Sequence, residues 1–136
     1  MARIAIRYCT QTGHSRQLAE AIGQALNLPA ADISERLEEP VDKLFLCNGM
    51  YAARLDKRLT AFLAENAGLC GEIINVCSSA SGRSTGKLMR KQAEALHFTL
   101  SKREFCCKGA FHFLSKGHPD ASDLKAVSDF AVVAAM

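Results

Sequence analysis

The chain has 136 residues, 49% of them apolar and 23% charged, with a net charge of +3. That length is expected to make residues 1–136 a single domain with one real core, needing no metal or disulfide staples. The balance excludes a disordered chain or a coiled coil, no apolar run approaches the ~20 residues of a spanning helix, and the weak, scattered positive charge gives no case for nucleic acid.

The first ten residues, MARIAIRYCT, carry no signal-peptide pattern and read as a strand of a cytoplasmic protein. Residues 3–9 form strand one. Thr10-Gln11-Thr12-Gly13-His14-Ser15 is then a turn of hydroxyls around one glycine. Leu18, Ile22 and Leu26 follow at helical spacing, with Ala19 and Ala25 beside them, and Pro29 lies just past the helix end. Ala30–Ile33 is a short strand two, and Ser34–Asp42 reads as loop, with a helix missing or degenerate there. Lys43–Cys47 is strand three, closed by Asn48-Gly49.

Helix two presents Leu55, Leu59, Phe62 and Leu63 on one face, and Gly68 and Gly71 bracket the next turn. Glu72–Cys77 is strand four, and Ser78–Thr85 is a Ser/Gly loop. Helix three is expected to bury Leu88, Met89, Gln92, Ala93 and Leu96. Phe98–Cys107 is a broken strand five, and 108–119 is a loop. Asp120 and Asp123 stand in capping-box positions before a last helix. Leu124, Val127, Ala131 and Ala134 face inward there, with Phe130 beside them.

Strands alternating with helices predict an α/β fold, a parallel sheet covered on both faces. Ligands of such sheets bind outside the carboxyl ends of the strands, here after residues 9, 47, 77 and 107. The loop after strand one joins short hydroxyls, a glycine and a helix start. That set suits a phosphate, and it also suits an ordinary helix cap.

Two other phosphate motifs fail on spacing. Cys9 and Arg16 are separated by six residues, where a C-x5-R phosphatase loop needs five. Gly82-Arg-Ser-Thr-Gly86-Lys87-Leu88 is one residue short of a Walker A loop and has Leu in place of the magnesium-binding hydroxyl.

Thr10-Gln-Thr-Gly-His-Ser15 resembles the T-x-T-G-x-T phosphate loop of the flavodoxin family. Asn48-Gly-Met-Tyr-Ala52 resembles the G-x-G-x-Y loop of one flavodoxin-like branch, and Ser78-Ser-Ala-Ser-Gly82 its S-T-x-G loop. Phe105-Cys-Cys-Lys-Gly109, Gly117-His-Pro-Asp120 and Asp123-Leu124 resemble that branch's ending. The similarity runs through nearly the whole chain in order.

It implies a flavodoxin-like three-layer sandwich, its five parallel strands ordered 2-1-3-4-5. It also implies non-covalent FMN and electron transfer with a redox partner protein. Thr10, Gln11, Thr12, Gly13, His14 and Ser15 would hold the phosphate. Asn48, Gly49, Met50, Tyr51 and Ala52 would lie along the ring, with Tyr51 stacked on it and Gly49 giving a peptide that can turn over. Ser78, Ser79, Ala80, Ser81 and Gly82 would close on its pyrimidine side. Other functions open to this fold are a quinone-type flavin reductase and a flavin-free binding or regulatory module.

Three departures from the family stand out. The chain is basic where flavodoxins are usually acidic, it has no tryptophan, and His14 and Arg16 flank the phosphate loop. Arg16 can instead pair with Glu20 one helical turn on. The six cysteines, with no C-x-x-C, read as reduced thiols. Cys9, Cys47, Cys77, Cys106 and Cys107 fall near strand ends, where a small buried residue fits and where a thiol relay or soft-metal site is the sharper alternative. His97, His112 and His118 read as structural or exposed, with His118 a candidate to orient the last helix.

Overall fold

The computed structural model describes residues 2–11, 13–50, 54–79, 83–108 and 119–136. In chain order the elements are β1 (Ile4–Tyr8), α1 (His14–Leu26), β2 (Ala30–Asp32), β3 (Val41–Gly49), α2 (Lys57–Asn66), β4 (Cys70–Ser79), α3 (Gly86–Leu96), β5 (Phe105–Lys108) and α4 (Ala121–Ala134). The five strands form one parallel sheet in the order β2-β1-β3-β4-β5, as the sequence predicts.

Alternation along the strands splits the core into two layers. Ile6, Phe45, Cys47, Ile74, Val76 and Cys107 meet Leu18, Ala19 and Ile22 of α1 and Val127, Ala131 and Ala134 of α4. On the other face Leu44, Leu46 and Ile73 meet Leu59, Phe62 and Leu63 of α2 and Met89 of α3. Each fully buried Leu or Ile contributes roughly 1.5–3 kcal/mol.

The last helix starts as its sequence dictates. Asp120 accepts from Asp123 N at 2.9 Å, and Asp123 accepts from Asp120 N at 2.8 Å. Lys43 Nζ donates to Ala134 O at 2.8 Å, placing a cation at the other end of α4, where the helix dipole favours one.

Several sequence expectations are corrected. Ala25 is exposed, and Gly23 takes the buried place beside Ile22. α3 buries only Met89 and Gly86; Gln92 and Ala93 are half-buried, and Leu96 is exposed. Gly71 lies within β4, so the turn before that strand is the 3-10 turn Ala67–Leu69. β3 and β4 run two residues further at each end than their apolar runs. Their hydrogen-bonded ladder continues through Asn48–Cys77 and Gly49–Ser78.

Strand five is broken as expected: Leu100 bridges Ile73, and pairing resumes only at Phe105. The helix missing between β2 and β3 is replaced by irregular chain. Ile33 and Leu37 from that segment are buried against the α2 layer. Asn66 Oδ1 accepts from Leu37 N at 2.9 Å, which gives this buried backbone donor its partner.

Candidate functional site at the strand ends

β1 delivers the chain to the edge beside β3: Cys9 N donates to Cys47 O at 2.9 Å. Cys9 itself is 1% exposed, and burial pushes its thiol up to about 12, with the Asp56 carboxylate adding to the shift. A protonated, enclosed thiol is a poor nucleophile, which agrees with the failed phosphatase spacing.

Beyond it the chain turns on a hydroxyl. Thr10 Oγ1 accepts from Gly13 N at 2.7 Å. Gly13 has φ +90°, in the left-handed region, and a Cβ built there would meet nothing within 4 Å. Glycine therefore serves the turn, and the space beside it is open. α1 begins at His14 with no side-chain cap. Ser15, 1% exposed, holds its hydroxyl oxygen buried with no hydrogen-bond partner among the described residues. Such an orphan costs about 1–3 kcal/mol unless something completes it.

The cations flanking the loop do not supply its charge. Arg16 pairs with Glu20 at 2.7 Å and lies 6.0 Å from the centre of the Tyr8 ring. Burial moves the His14 imidazole below its ordinary value, toward the neutral form. Arg58 of α2 does reach the loop. Its Nη2 donates to Thr10 O at 3.2 Å and to Asp56 Oδ2 at 2.9 Å.

Asp56 caps α2 by accepting from Arg58 N at 2.8 Å, and it also accepts from Gln11 Nε2 at 3.2 Å. One carboxylate thus ties the start of α2 to the loop after β1. Hydrogen bonds from Arg58 hold that carboxyl well below the usual carboxylate range, against the opposing effect of burial.

At the ends of β3 and β4, Gly49 and Ser78 are register partners, and Met50 follows Gly49 out of the ladder. Asn48 is 1% exposed, and its side chain turns inward. Its amide nitrogen donates to Leu46 O at 3.0 Å, Asn75 Oδ1 at 2.7 Å and Val76 O at 3.3 Å. Thr85 closes the group, donating to Asn48 Oδ1 at 2.8 Å and accepting from Asn75 Nδ2 at 3.0 Å. Ser79 Oγ donates to Arg83 O at 2.9 Å, bracing the chain beyond β4.

Of the predicted site residues, Thr10, Gln11, Gly13, His14, Ser15, Asn48, Gly49, Met50, Ser78 and Ser79 lie at the carboxyl edge of the sheet or at the start of α1. Thr12, Tyr51, Ala52, Ala80, Ser81 and Gly82 lie outside the described residues, as do His112 and His118. The sequence reading missed Asp56, Arg58, Asn75 and Thr85. Only Asp56 carried a signal, an acidic residue just before a helical run.

No known family model matches the chain, and no curated protein matches it in sequence. Solved structures do. Flavodoxin 2 from Bacillus cereus superposes with a TM-score of 0.71 at 15% identity, over 98% of each chain. A flavodoxin from the domain Archaea gives 0.69 at 9% identity, over 96% of this chain and 94% of its own. A short-chain flavodoxin associated with a non-canonical PDU bacterial microcompartment gives 0.69 at 16% identity, over 98% and 99%. The chain has the flavodoxin fold.

Proposed function

We propose that this chain binds FMN non-covalently and carries electrons between redox partner proteins. The observation that carries the reading is the Ser15 hydroxyl, buried at the start of α1 without a partner among the described residues, next to the open, left-handed Gly13. A phosphate at that helix start would give the hydroxyl an acceptor and would meet the positive end of the helix dipole. The residues present therefore fit the group.

In this reading Thr10, Gln11, Thr12, Gly13, His14 and Ser15 hold the phosphate. Thr10 keeps the turn closed through Gly13 N. Arg58, its charge balanced by Asp56, braces the loop through Thr10 O, and Asp56 fixes both Arg58 and Gln11 in place. Asn48 to Ala52 and Ser78 to Gly82 supply the flanks of the ring. The Asn48–Asn75–Thr85 bonds hold the ends of β3 and β4 rigidly beneath them. FMN, when bound, supplies one- and two-electron transfer, and the protein tunes its potential through hydrogen bonds and packing.

No helix among the described residues is long and apolar enough to cross a membrane. The test is a visible absorption spectrum of the full chain after FMN is added and the excess removed. Retained flavin bands are expected. A chain that stays colourless under saturating FMN overturns the reading in favour of a flavin-free module.

A further inference from the structure

Two cysteines of the sheet edge have no role in the flavin reading. Cys77 of β4 and Cys106 of β5 are register partners on neighbouring parallel strands. Val76, Phe105 and Cys107 belong to the α1/α4 layer, so alternation puts Cys77 and Cys106 together on the opposite face. Neighbouring strands run about 4.8 Å apart, within the Cα separation of about 4.4–6.8 Å that a disulfide spans.

The two thiols act on each other: Cys106 draws the Cys77 thiol down, and Cys77 pushes the Cys106 thiol up. Cys77 Sγ lies 3.9 Å from Ser84 Oγ, beside Thr85, the residue that precedes α3 and whose backbone N–H helps draw the Cys77 thiol down. A sulfur beside a helix start lies where thiolate is favoured. The Cys77 thiol is drawn down to about 7, chiefly by the Cys106 thiol and against burial. Burial pushes the thiols of Cys9, Cys47, Cys70 and Cys107 the other way. Cys77 is enclosed and Cys106 half-buried, so solvent meets the pair through Cys106.

We propose that Cys77 and Cys106 form a redox-active dithiol, which small-molecule disulfides oxidise to a cross-strand disulfide. In its reactive form the reduced pair holds one shared proton. The Cys106 sulfur attacks the incoming disulfide while its proton passes to Cys77, and the S–S bond breaks to release one thiolate. Cys77 gives that proton to the departing thiolate and attacks the Cys106 sulfur, and the second thiolate leaves. The pair loses two electrons, and the small disulfide gains them as one thiol and one thiolate. Cys107, directed to the opposite layer, is not in position to compete.

The test exposes the reduced full chain to hydroxyethyl disulfide, with and without FMN, so its outcome is separate from that of the flavin reading. Thiols are counted after denaturation, and fragmentation of the linked peptide assigns the sulfurs. Two of the six thiols should disappear into a Cys77–Cys106 link that a reductant reopens. Cys77→Ser should stop at a mixed disulfide on Cys106. Six surviving thiols, a link between other cysteines, or mixed disulfides without an internal link in the unsubstituted chain would overturn the proposal. The peptide assignment needs no variant, so it stands even where a variant fails to fold.

Discussion

Asn48 and Asn75 face each other across the β3–β4 ladder, amide nitrogen to carbonyl oxygen at 2.7 Å, and both are almost fully buried. Neither could remain there alone, since a buried amide without partners costs on the order of 1–3 kcal/mol. Thr85 at the start of α3 serves both, and so docks that helix on the sheet. Thr85→Val keeps the shape and removes the hydroxyl. It should lower stability by roughly 1–3 kcal/mol, the cost of leaving Asn48 Oδ1 and Asn75 Nδ2 short of a partner. Urea midpoints with an unchanged slope would show it; an unchanged midpoint would mean the hydroxyl is dispensable.

The same pair shows why the sequence reading stops short of the interior. The parallel sheet was legible because apolar runs alternate with amphipathic helices, and its strand order came with the resemblance to flavodoxins. Asn48-Gly49 carries a turn signal by composition, and only pairing with Cys77 and Ser78 of β4, far along the chain, makes it strand. Arg58 was invisible for the same reason: its contact with Thr10 spans 48 residues. Leu96 misled because helical spacing shows which side faces the sheet, whereas exposure at the helix end depends on what packs there. The capping box at Asp120 and Asp123 was legible because it is local.

Ser15 allows the flavin reading to be tested in two directions. In the flavin-free chain Ser15→Ala removes a buried hydroxyl that has no partner among the described residues, so stability should hold or rise. If that hydroxyl serves a phosphate, FMN affinity should fall by on the order of tenfold, about 1.4 kcal/mol, while riboflavin is unaffected. Titration of both ligands against fluorescence separates the cases. Equal losses for FMN and riboflavin would place Ser15 away from the phosphate.

The Asp56–Arg58 brace should give stability a defined pH dependence. Asp56 has its carboxyl depressed from an ordinary 3.8, mainly by Arg58. A depressed carboxyl contributes stability above its unfolded value and loses it as pH falls from there toward the folded value. Asp56→Asn should therefore be less stable than the parent chain at pH 7, with the gap narrowing steadily below about pH 4. Paired urea titrations at several pH values check this; a gap that stays constant into acid would mean the charge contributes nothing.

Gly23 presents opposing effects whose balance the structure decides. It lies inside α1, where alanine would ordinarily stabilise a helix by about 0.5–1 kcal/mol. Here a Cβ would come within 2.6 Å of Leu28 O, a backbone atom on the path from α1 to β2. Leu28 N is meanwhile bonded to Gly23 O at 2.9 Å, so the chain is held against this face from both sides. The carbonyl cannot swing away as a flexible side chain could without breaking that bond and displacing Ala30, which pairs with Ile6 at the sheet edge. Overpacking of this kind typically costs about 1–3 kcal/mol and outweighs the helical gain. Gly23→Ala should thus destabilise the chain, with amide exchange rising first in β2. A variant more stable than the parent would show that the β2 edge can move aside freely.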